Sequence, residues 1–193
     1  MEGQHHDTSG AKALLRFSAV ALERGGRLLF EGLDVALGPG DGLHVTGPNG
    51  SGKSSLIRLA AGLLRASAGE IERRAAALAD DSLALDRELP LGRALGFWSS
   101  QVEPAMAALG ISYLAQVPVR LLSSGQQKRA SLARVAASGA PLWLLDEPLN
   151  ALDADGAERL AEVVRNHRAM GGAVVAASHQ PLPGDWAPLE LGR

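Results

Sequence analysis

A chain of 193 residues, 46% hydrophobic and 21% charged, is long enough to bury one core without covalent staples. Its formal net charge of −2 gives no basic footprint for nucleic acid. The absence of cysteine excludes disulfides, thiolate metal sites and thiol catalysis, and no apolar run approaches the roughly 20 residues that cross a bilayer.

The opening "MEGQHHDTSGAK" is polar and reads as a disordered tail over residues 1–12, with His5 and His6 lacking a second ligand pair. A single domain is expected over 13–193. Residues 13–46 alternate apolar runs with Gly- and Pro-containing turns, the pattern of short strands. From Ser54 to Leu64 the spacing becomes helical, with Leu56, Leu59 and Leu63 on one face. Residues 71–120 are rich in Ala and Leu and mostly helical in character, with breaks near Pro90, Pro104 and Pro118. A further helix runs from about Gln126 to Ser138, so a helical subdomain is expected over about 83–138. "PLWLLDEP" and "GGAVVAASH" are short continuous apolar runs, as in strands buried on both faces. Between them "DADGAERLAEVVRNHRAM" places Leu160, Val163 and Val164 inward. This alternation predicts an α/β fold with a parallel sheet.

"GPNGSGKS", Gly47 to Ser54, matches the P-loop pattern in full and stands between a strand and a helix, the context the motif requires. Gly47, Pro48, Asn49, Gly50, Ser51 and Gly52 form a loop whose backbone can wrap phosphates. Lys53 would neutralise the β- and γ-phosphates of a nucleotide, the Ser54 hydroxyl would ligate Mg²⁺, and Ser55 opens the helix beside them. In "LWLLDEP", Asp146 at a strand end can complete the metal shell, and Glu147 can orient or deprotonate an attacking water. Taken alone an acidic pair is a turn or a helix cap; beside a P-loop it reads as catalytic. His179 ends the last apolar strand, and carboxyl ends of parallel strands converge on the ligand, so it joins Lys53 and Glu147 as a catalytic candidate. His44 and His167 lack such support and read as structural or exposed.

"LLSSGQQKRASLAR" offers a second helix entrance suited to an anion, although "SSGQ" by itself would be an ordinary N-cap. The ordered set "GPNGSGKS", "LSSGQQKRASLAR", "LWLLDEP", "NALD" and "ASHQ" resembles the ATP-binding cassette family, from about Leu14 to Pro183. The resemblance implies a P-loop NTPase of that type: a mixed sheet core, an N-terminal antiparallel β part and a small helical signature subdomain. It implies ATP and Mg²⁺ as ligands, and a head-to-tail homodimer in which the signature loop of Ser123, Ser124, Gly125 and Gln126 caps the partner's ATP. It carries Asp153, in Ala151-Leu152-Asp153, to a loop that signals between the sites. Asn150 stands where many members of the family have Ser, and two further positions depart from the family pattern. Arg24 stands where an aromatic residue often stacks on adenine, and Ser82, preceded by Asp80 and Asp81, stands where a glutamine is usual.

A finer resemblance, through "ERGGRLLFEGL", "APLWLLDEPLNALD" and "GGAVVAASHQPLP", is to the ATP-binding subunits of cytochrome c biogenesis systems, the haem-exporter ATPases. It implies a peripheral ATPase at the cytoplasmic face of the bacterial inner membrane. There it would act with integral membrane permease subunits to drive release or transfer of haem-loaded chaperone. With no Cys-x-x-Cys-His and no paired haem ligands, no haem site is expected on this chain, and no direct nucleic-acid contact. The alternatives are the ATPase of a different small-substrate exporter and a soluble cassette protein.

Overall fold

The structure, a computed structural model, describes residues 13–192; the tail expected over 1–12, with His5 and His6, lies outside the described residues. Strands β1 (Leu15–Arg24) and β2 (Arg27–Leu37) form an antiparallel hairpin about Gly25-Gly26, and β4 (Ala68–Arg73) pairs antiparallel with the other edge of β1. The second sheet has five strands, all parallel, in the order β5 (Ala76–Ala79), β6 (Leu142–Asp146), β7 (Ala173–Ala177), β3 (Gly42–Thr46) and β8 (Ala187–Glu190). The parallel and antiparallel pairings expected of the fold are thus distributed over two sheets.

Every residue of β6 and β7 is buried, as their unbroken apolar runs require. The pleat sends alternate side chains to opposite faces. Leu142 and Leu144 join Val175, Leu56, Ile57 and Leu59 in a core beneath the small sheet and helix α1 (Lys53–Ala61). Trp143 and Leu145 join a second core with Leu95, Met106, Leu132 and Leu160. That core is covered by α2 (Leu91–Gly96), α3 (Val102–Ala108), α4 (Ser124–Ala137) and α5 (Ala154–Ala169). His167 belongs to this layer: it is buried and stacks on Trp143 at 3.7 Å between ring centroids.

Four local expectations are corrected. At the start of the stretch expected to be mostly helical, residues 71–73 end strand β4 and 76–79 form β5; Ala-rich segments carry little periodicity, and pairing of Ala76–Ala79 with β6 decides their conformation. The break expected near Pro104 falls just ahead of it, between α2 and α3, while Pro104 itself sits in the first turn of α3, where its missing N–H forfeits no helical bond. Leu63 lies beyond α1, which Gly62 ends in a left-handed conformation, and it is exposed. The edge strand β8 has no counterpart in the sequence reading, since Pro188 argues against a strand except at a sheet edge.

Candidate nucleotide site

Parallel register brings the functional segments to one edge. Val45 pairs with Ala177, and Ala177 with Asp146, so the residues leaving β3, β6 and β7 emerge side by side. They are the P-loop, Glu147 and the Ser178–His179 pair.

The P-loop runs from Gly47 into α1. Gly47 has φ +140°, and a Cβ there would fall 2.4 Å from the Leu191 carbonyl oxygen, so only glycine fits the turn out of β3. Lys53 is buried, and its Nζ donates to the carbonyl oxygens of Gly47 at 2.8 Å and Pro48 at 3.2 Å. The ammonium thereby lies within the concave side of its own loop. Ser51 is also buried, and its hydroxyl has no partner in the protein.

Ser54 at the start of α1 donates its hydroxyl proton to Asp146 Oδ1 at 3.1 Å. Asp146 is buried at the end of β6. Burial chiefly raises its carboxyl pKa, the neighbouring charges of Asp81 and Glu147 add to the rise, and the Ser54 hydrogen bond opposes it. A carboxylate so disfavoured is stabilised by a cation. Ser54 and Asp146 therefore fit Mg²⁺, which takes one or two protein oxygens and completes its shell with phosphate and water. Among the described residues no group of three or more acidic, His or Cys side chains forms a self-sufficient metal cage.

Glu147 follows with φ +47°, rare for a residue with a side chain, and its N–H donates to Ala177 O at 2.8 Å. This turn aims the carboxylate at His179, whose Nε2 stands 3.3 Å from Glu147 Oε1. The structure thus unites two pairs, Ser54 with Asp146 and Glu147 with His179, on consecutive residues of one strand end.

The signature segment is placed elsewhere. Ser123 caps α4 in a reciprocal box: its Oγ accepts from Gln126 N–H at 3.3 Å, and Gln126 Oε1 accepts from Ser123 N–H at 2.9 Å. Among the described residues no hydrogen bond joins Ser123–Gln126 to the P-loop of the same chain. The segment instead packs on residues after Glu147: a Cβ on Gly125 would lie 2.7 Å from the Ala151 carbonyl oxygen. Asp153 caps α5, accepting the Gly156 N–H at 2.9 Å, and also accepts from Arg129 of α4.

Sequence reasoning passed over two features. Arg129 meets the acidic start of α5, which nothing in a helical charge pattern reveals. Lys128 is buried beside the end of β6, its Nζ donating to Asp146 O at 3.2 Å. Burial chiefly lowers its pKa, while Asp81, Asp146, Glu147 and Asp80 favour the charged form. Arg24 is exposed at the end of β1 opposite Arg27, while Phe17 is core and Phe30 lies against Gly52 of the P-loop.

Residues 30–150 match the ABC transporter family. The cytochrome c biogenesis ATP-binding export protein CcmA of Sphingopyxis alaskensis is 55% identical over 177 residues, covering 88% of this chain and 91% of its own. Its counterpart in Novosphingobium aromaticivorans is 57% identical over 166 residues, covering 84% and 87%. Among solved structures, the ATP-binding subunit of an ABC transporter superposes with a TM-score of 0.79 at 20% identity, covering 86% of this chain and 79% of that one. An ATP-binding cassette dimer in a post-hydrolysis state, bound to ADP and Pi, gives 0.75 at 19% identity, covering 86% and 88%. The two strand-end pairs, the P-loop that faces them and these likenesses over most of the chain place it in the ABC transporter family, among the cytochrome c biogenesis ATP-binding export proteins.

Proposed function

We propose that this chain is the ATP-hydrolysing subunit of a membrane ABC complex serving cytochrome c maturation, and that it works as a head-to-tail homodimer. The observation that carries the catalytic reading is the pairing of Glu147 with His179 next to Ser54 with Asp146. The P-loop backbone and Lys53 bind the phosphates, and Ser54 and Asp146 hold Mg²⁺, which supplies charge neutralisation when bound. Glu147 takes a proton from the attacking water, and His179, whose Nε2 stands 3.3 Å from the Glu147 carboxylate, faces the terminal phosphate beside it. The signature loop, which makes no hydrogen bond to its own P-loop among the described residues, serves the ATP of a second copy through Ser123 and Gly125.

The 55% identity to a cytochrome c biogenesis export protein supports coupling of this hydrolysis to release or transfer of haem-loaded chaperone. Among the described residues no helix is long and apolar enough to cross a membrane. The likeness to the export proteins supports attachment through integral membrane subunits at the cytoplasmic face of the inner membrane. Glu147→Gln protein captured with ATP from solubilised membranes tests this: small multi-span subunits with a haem-binding chaperone are expected. An unrelated permease would keep the motor and discard the haem pathway, and soluble partners alone would refute the transporter reading.

A further inference from the structure

Arg129 lies six residues beyond the signature cap Ser123, on a face of α4 turned away from solvent: its side chain is only 13% exposed. The guanidinium donates in three directions. Nη1 reaches the Leu109 carbonyl oxygen at 3.2 Å and Asp155 Oδ2 at 2.8 Å, and Nη2 reaches Asp153 Oδ1. The same Asp153 oxygen caps α5, and Asp155 also accepts from Arg159 Nε, at 3.0 Å on Oδ1 and 2.9 Å on Oδ2. Space for the fork is reserved by Gly156, where a Cβ would sit 3.0 Å from Asp153 Oδ1 and 3.1 Å from Arg129 Nε. Two segments are thus pinned to one planar group: the loop after α3 and the start of α5. Ahead of this fork along α4, Gly125 abuts Ala151, so the signature and signalling segments touch at two separated points.

Two points of contact fix both the distance and the orientation of one segment relative to the other. The carboxylates of the pair are mostly exposed, 72% for Asp153 and 56% for Asp155, and exposed ion pairs add little to folding stability. A guanidinium fork spanning two carboxylates instead specifies geometry, which an ammonium cannot copy. We propose that Arg129 is a positioning residue that clamps the signature loop Ser123–Gln126 to the signalling loop Ala151–Asp153, so that both meet the partner's ATP as one rigid unit. This rests on the head-to-tail reading above. Binding of the partner's nucleotide at Ser123 and Gly125 then carries Asp153 with it, and the start of α5 moves in step.

The test uses Arg129→Lys and Asp155→Asn, each in the Glu147→Gln background, with Asp155 chosen because its exposed side chain can be changed without disturbing the core. Amide hydrogen exchange of the isolated chain is read at 123–127 and 151–156, nucleotide binding by fluorescent ATP analogue, and ATP-driven dimerisation by sedimentation. Exchange is expected to rise together in both segments, and binding to the chain's own P-loop to stay unchanged. Dimer formation should need about tenfold more protein for Arg129→Lys and less for Asp155→Asn, as loss of charged hydrogen bonds implies. Unchanged exchange and dimerisation in both variants would overturn the clamp. Equal losses of nucleotide binding and dimerisation would reduce Arg129 to a structural prop. A Glu147→Gln parent that stays monomeric at saturating ATP removes the head-to-tail reading, and the clamp's role across the interface with it.

Discussion

Glu147→Gln is the substitution that separates chemistry from binding most cleanly. Glutamine has nearly the shape of glutamate, can still face His179 Nε2 across the 3.3 Å that now separates it from Glu147 Oε1, and keeps the backbone turn at φ +47°. What is lost is the capacity to accept a proton from water. Positioned general-base catalysis contributes about 10²–10⁴-fold, which at 1.36 kcal/mol per tenfold is ~3–5 kcal/mol of transition-state stabilisation. Since the hydrogen bonds that hold Lys53 go to the Gly47 and Pro48 carbonyls and not to Glu147, ATP affinity is expected to be retained. Steady-state phosphate release should fall by that factor, while equilibrium binding of a fluorescent ATP analogue moves less than about threefold, well under one tenfold step of 1.4 kcal/mol. Hydrolysis by Glu147→Gln within about threefold of the parent rate would refute the assignment, because a true general base cannot be so dispensable.

Asp146→Asn keeps the acceptor for the Ser54 hydroxyl but removes a buried charge whose pKa is raised by burial. A raised carboxyl favours folding below its unfolded value of 3.8 and opposes it once pH climbs through the folded value. Without nucleotide or Mg²⁺ at neutral pH, Asp146→Asn should therefore melt higher in calorimetry, at about 2–4 °C for each kcal/mol gained, while losing Mg²⁺-dependent ATP binding. His167 titrates in the opposite sense: burial lowers its pKa below 6.5, so its contribution is complete above 6.5 and is lost as pH falls through the folded value. His167→Gln should flatten that acid-side loss in a series of melts from pH 7 to pH 5, and an unchanged pH slope would exclude His167 as its source.

The contiguous motifs were legible because their geometry is local. A P-loop needs only a strand, a run of glycines and a helix, and β6 and β7 declare themselves by unbroken apolar runs with no polar face to alternate. The convergence of His179 on Glu147 was legible from strand-end logic, although 32 positions separate them, because parallel register is repetitive enough to extrapolate. Other features depend on which surfaces meet. Nothing in "AALA" distinguishes a helix from a strand until β6 offers its edge. Gly125 reads as room for an anion, yet in the fold it also admits the Ala151 carbonyl. Nothing in the charge pattern of α4 marks Arg129, and only packing of α4 against the start of α5 encloses it.

The position lacking the family's glutamine supplies the sharpest remaining expectation. Ala79 pairs with Leu145, so Asp80 and Asp81 leave β5 beside the end of β6, and the charge of Asp81 is felt at both Asp146 and Lys128. The Ser82 N–H is turned inward to Asp80 Oδ1 at 3.0 Å, which commits that segment to a local turn. A neutral amide at this place would lend a dipole to the metal shell; a carboxylate lends a full charge, and affinity for hard cations follows ligand charge. Asp81→Asn should consequently raise the Mg²⁺ concentration that half-saturates ATP hydrolysis by about tenfold, a size suited to one partly screened charge near a divalent ion. Ser82→Gln should leave it nearly unchanged. Titrating Mg²⁺ against phosphate release, with nucleotide binding followed in parallel, decides between them. If Ser82→Gln lowers the Mg²⁺ requirement while Asp81→Asn does nothing, the carboxylate is a bystander and water fills the place of the missing amide.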